Sequence, residues 1–73
     1  MALERNPYRL EEVFNLRLRQ IYLRAKTPEE RSTMHGNLLA EIDTSIAQSH
    51  IEGDHDALAA WESARDFVRR EIK

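Results

Sequence analysis

Apolar residues recur along the chain at helical spacing, in three separate blocks. In the first, Leu10, Val13, Phe14, Leu18, Ile21 and Ala25 fall on one side when successive residues advance by about 100°. In the second, Met34, Leu38, Leu39, Ile42 and Ile46 share a face that the small Ser45 and Ser49 interrupt. In the third, Ala57, Leu58, Trp61, Ala64, Val68 and Ile72 form the stripe, with Ala60 and Phe67 on its flank. Strand signals are missing: no β-branched residues alternate with period two, and no Asn-Gly or Asp-Gly turn occurs. The pattern predicts an all-α fold.

The ends of the blocks are punctuated. Both prolines stand where a helix can begin, because a proline is tolerated in the first turn and breaks an interior. Asn6-Pro7 offers a cap and a start. Thr27-Pro28-Glu29-Glu30 is a capping box in which Thr27 accepts from the Glu30 amide and Glu30 reaches back to the Thr27 amide. Gly53 suits the left-handed end of a helix, and Asp54 directly after it suits the start of the next. These signals predict three helices, at about 7–26, 28–51 and 55–72, in one small domain spanning residues 1–73. Short joints make the second and third an antiparallel hairpin, with Trp61, Leu38, Ile42, Ile46 and Val68 anchoring its core. Trp61 is expected to face Ile42, Ile46 or the serines of the second helix, although a lone tryptophan can also stack on a ligand.

The first helix is apolar on a second side as well. Leu16 and Leu23, seven positions apart, lie nearly opposite its main apolar face. A helix apolar on two sides usually touches something on both, whereas isolated surface leucines are ordinary. The contact reading makes Leu16 and Leu23, together with Arg19 and Tyr22, a surface for self-association or for a partner.

Charge changes the picture by its distribution. Eleven Lys and Arg against 13 Asp and Glu give a net charge of −2. Residues 1–26 hold six basic and three acidic groups (+3), residues 27–56 one and seven (−6), and residues 57–73 four and three (+1). A basic first helix beside an acidic second one favours packing them together, with Arg17 and Arg24 as partners for Glu41 or Glu52. Nucleic-acid binding is disfavoured, because Arg19 and Lys26 project one way, Arg17 and Arg24 another, and Arg9 along a third line.

Candidate chemistry is sparse. The chain has no cysteine and only Gly36 and Gly53 as glycines, which removes disulfides, thiolate zinc sites and a glycine-rich phosphate loop. The histidines His50 and His55 with Glu52, Asp54 and Asp56 have the right donors for a metal, but no ligand spacing such as His-Glu-x-x-His, and a turn would point them apart. Neither an enzyme nor a cofactor is expected. The N-terminal stretch carries charges where a secretory signal needs an apolar region, so the expected compartment is the cytoplasm. A chain of 73 residues also has little core, so support from oligomerisation or a partner is expected.

The function expected is therefore a small non-catalytic interaction module, an adaptor, regulator or inhibitor, forming a homodimer or higher oligomer and binding another protein. Two alternatives accompany it. Gly53, Asp54 and Trp61, with the apolar positions around them, make residues 46–72 resemble the helical-hairpin co-chaperones of type III secretion needle subunits, whose second helix follows a Gly-Asp corner. That resemblance covers about a third of the chain, and the proline-led first helix departs from the two-helix pattern. The other alternative is a helical oligomer binding nucleic acid or a small anion, the latter through Arg17, Arg19, Arg24 or the tyrosines Tyr8 and Tyr22.

Overall fold

The computed structural model describes residues 3–72. Three helices, α1 (Pro7–Arg24), α2 (Pro28–Glu52) and α3 (His55–Glu71), account for nearly all of them, and no strand occurs among the described residues. At about 1.5 Å per residue, the 25 residues of α2 span the 39 Å long axis of the molecule.

Each helix starts as its sequence dictates. The Asn6 side chain accepts from the amides of Tyr8 and Arg9, at 3.0 and 3.4 Å, with Pro7 following it. Thr27 accepts from the Glu30 amide at 3.1 Å, but the other half of the capping box differs from expectation. Glu30 accepts from the amide of Lys26, one residue before Thr27, at 3.1 Å. Thr27 is extended, as a residue before proline must be. With Ala25 also extended, α1 ends at Arg24 rather than at residue 26. The other two ends differ from expectation by one residue: α2 continues to Glu52, and α3 stops at Glu71 because Ile72 is extended.

The corner between α2 and α3 is a Schellman turn. Gly53 adopts φ 67° and ψ 26°. Its amide donates to the His50 carbonyl at 3.2 Å, and the Asp54 amide donates to the Ser49 carbonyl at 3.0 Å, which satisfies two carbonyls at the helix end. Asp54 then caps α3 by accepting from the Ala57 amide at 3.1 Å.

The core is small and lopsided. Leu38, Ile42 and Ile46 of α2 are buried against Ala60, Ala64 and Val68 of α3, Leu10 and Phe14 of α1 close the cluster, and Ala57 is buried at the start of α3. Three alanines in a row of four on α3 let α2 approach closely, and these two helices pack most intimately. Ser49 is the one buried polar side chain among the described residues; its hydroxyl donates to the Ser45 carbonyl at 2.8 Å. Trp61 packs against this core but is less covered than expected. It stands beside the alanine row, half-buried, with its ring edge-on to Phe14 of α1 at 5.8 Å and 71°. The tryptophan therefore links α3 to α1, an arrangement worth about 0.5–1.5 kcal/mol beyond the area it covers.

Two substitutions test this architecture by thermal melting. A Cβ at Gly53 would meet nothing within 4 Å, so any cost there is conformational. Gly53→Val should destabilise by about 1–2 kcal/mol and Gly53→Asn by less. Ala64→Leu should cost about 1–3 kcal/mol by forcing α2 and α3 apart; an unchanged melting temperature would mean that the two helices are not held by the alanine row.

Candidate functional site

Packing α1 chiefly on α3 leaves its far side in solvent. Leu16 is 59% exposed, Leu23 84% and Tyr22 68%, and Arg19 is exposed beside them. Val13 was expected in the core but is 47% exposed. Its place in the helix lies toward the solvent edge of the apolar face, and the core closes over Leu10 and Phe14 instead. The correction lengthens the exposed strip. Val13, Leu16, Gln20 and Leu23 follow one another at spacings of three, four and three, which is the seam of a coiled-coil heptad. Arg17 and Arg24 border the strip on the side of α2, while Glu12 and Arg19 border it on the other.

A shallow groove between α1 and α2 continues from this strip. Ile21, Met34 and Leu38 lie along it with Arg17, Gln20, Arg24 and Asn37. Across it, Arg17 donates to Glu41, and the guanidinium sits 5.8 Å from the Phe14 ring centre. That hydrogen bond holds the Glu41 carboxyl below its ordinary range, against the opposing effect of burial. The pair is exposed and contributes only about 0–1 kcal/mol. Arg24, the other expected partner for the acidic helix, forms no ion pair among the described residues, and Glu52 accepts from Gln48 instead.

The expected core anchors Leu38, Ile42, Ile46 and Val68 are all buried. Around the corner, Arg5 reaches from the N-terminal segment to Asp54 at 2.9 Å. The Ala57 amide, and after it Arg5, hold the Asp54 carboxyl below its ordinary range. Asp54 is thus engaged as a cap, and no group of three or more His, Asp and Glu side chains placed to hold a metal ion occurs among the described residues.

A second groove was not anticipated. The short joint at residues 25–27 brings the end of α1 beside the first turns of α2, and the end of α3 closes the space. Asn15, Leu18, Arg19, Tyr22, Arg31, His35, Glu71 and Ile72 line a recess of about 340 Å³. The Arg31 guanidinium carbon lies over the Tyr22 ring, 4.8 Å from its centre, and its Nε is buried with no acceptor among the described residues. An unmet donor of this kind costs about 1–3 kcal/mol, and more when charged. Burial first, and the Arg31 charge second, push the His35 imidazole below its ordinary value of 6.5. The signal in the sequence was the pair Arg31 and His35, four apart on one helix face, with Tyr22 just before the turn.

No helix among the described residues is long and apolar enough to cross a membrane. Compared with family models, curated proteins and solved structures, the chain finds no significant match.

His35 yields a pH dependence. A base whose folded pKa is lowered contributes stability that is complete above its ordinary value and is lost as pH falls through the folded one. The melting temperature should therefore fall between about pH 7.5 and about pH 5, and His35→Gln should remove part of that slope. Parallel pH profiles for the two proteins would contradict the assignment.

Proposed function

We propose that this chain is a small, non-catalytic protein–protein interaction module of the cytoplasm, an adaptor, regulator or inhibitor, that associates with itself through the outer face of α1. The observation that carries the reading is the uncovered strip of Val13, Leu16 and Leu23 on a helix whose opposite side is already in the core. Large apolar side chains repeated at heptad spacing, rather than scattered, favour burial against another helix.

The energetics suit a dissociable assembly. In a two-fold contact each of the three side chains is buried once in each subunit. At about 1.5–3 kcal/mol for a fully buried aliphatic side chain, and with each already partly covered, the total is on the order of 10 kcal/mol. Association itself costs about 4–15 kcal/mol. At the low end of that cost about 6 kcal/mol remains, a dissociation constant of tens of micromolar, so the assembly is weak and the face stays available to a helix from another protein. Gln20 in the middle of the seam favours one register, as a polar residue at such a position does.

Sedimentation equilibrium over a hundredfold range of concentration tests this. The wild-type chain should pass from 8.6 kDa to a dimer or higher species. Leu16→Glu with Leu23→Glu should remain monomeric and keep its helices, since both leucines point to solvent in the single chain. A wild-type chain that stays at 8.6 kDa throughout would overturn the self-association, and a double variant that still assembles would move it to another surface.

A further inference from the structure

The groove at the joined ends of the three helices lies on a different flank of α1 from the leucine strip. We propose that Arg19, Tyr22 and Arg31 bind the phosphate group of a small phosphomonoester there, with His35 and Asn15 as further hydrogen-bonding groups along the wall.

The Arg31 guanidinium carbon lies over the Tyr22 ring, 4.8 Å from its centre, a contact that restrains where the guanidinium sits. Its Nε–H is shut off from solvent and has no acceptor among the described residues. The three ion pairs among the described residues are Arg5 with Asp54, Arg9 with Glu4 and Arg17 with Glu41. Arg19 and Arg31, the two cations of the groove, belong to none of them. Among the described residues Glu71 is the single carboxylate on the lining, and it pairs with neither arginine.

Two guanidinium groups on one recess, without an ion pair among the described residues, match a dianion better than a monoanion. A guanidinium presents parallel N–H donors to a phosphate in a fork, which a carboxylate fills once and a phosphate can fill from two sides. The recess of about 340 Å³ is at the small end of the range for metabolite sites. Leu18 and Ile72 provide apolar lining for the ester portion, and Glu71 on the same lining supplies an acceptor for a hydroxyl of the ligand.

Titration calorimetry with inorganic phosphate and with glycerol 3-phosphate, at constant ionic strength and with acetate as the comparison anion, tests the site. Both phosphates should bind saturably, glycerol 3-phosphate more tightly, and acetate should bind at least tenfold more weakly. Arg31→Gln and Arg19→Gln should each weaken phosphate binding at least tenfold. Arg31→Lys should not restore it, because an ammonium lacks the fork and the buried Nε–H. Arg9→Gln, which removes the same charge at the other end of α1, should leave affinity unchanged. Arg19 is an exposed surface residue, so its variant keeps the test valid even where Arg31→Gln disturbs the fold. Equal weakening by Arg9→Gln would reduce the effect to general charge attraction, and affinity unchanged in Arg19→Gln, or acetate binding as tightly as phosphate, would overturn the proposal.

Discussion

The alanine row on α3 is the constraint from which the rest of the structure follows. Ala57, Ala60 and Ala64 are fully buried, and their short side chains allow α2 to lie close along α3. That closeness is achieved with little volume, so the hairpin alone buries few large side chains. The bulk arrives from α1, whose Leu10 and Phe14 fill the space beside Val68 and whose Phe14 meets Trp61. A core this small is satisfied by one face of α1. Its other face is left with Val13, Leu16 and Leu23 in solvent, so the same economy that closes the core opens the strip.

The joints do as much as the core to shape the surface. Capture of the Lys26 amide by Glu30 and the extended Thr27 before Pro28 turn the chain within three residues. Such a tight reversal sets the last turn of α1 against the first turns of α2. Tyr22 then falls under Arg31, and Arg19 and His35 line the same recess. At the other end of the hairpin the Gly53 corner works differently: its polar groups are consumed by capping, with Asp54 shared between the Ala57 amide and Arg5. At that end Arg5 and Asp54 are engaged with each other, while at the opposite end Arg19 and Arg31 line a recess and form no ion pair among the described residues.

Much of the architecture was legible in the sequence because it is written in local signals. Prolines at helix starts, the Thr27 cap and the Gly53-Asp54 corner act through the backbone of their own neighbours, so they locate elements without knowledge of packing. Periodicity identified Leu38, Ile42, Ile46 and Val68, which lie at the centre of their stripes. It failed at the edges. Val13 and Trp61 sit on stripe margins, where the angle between helices decides what is covered, and no single helix encodes that angle. The Arg31 recess was hidden for a related reason: its residues come from three helices, and only the tightness of the turn at residues 25–27 brings them together.

The central claim is that a second helix covers the outer face of α1. The most direct measurement is an isotope-filtered nuclear Overhauser experiment on an equimolar mixture of carbon-13-labelled and unlabelled chains at millimolar concentration, where only contacts between copies give signals. The account predicts intermolecular contacts at the methyl groups of Val13, Leu16 and Leu23, with none from the buried Ile42 or Val68. Contacts confined to another exposed apolar residue, such as Ile51 on α2, or no intermolecular contacts at all, would contradict it.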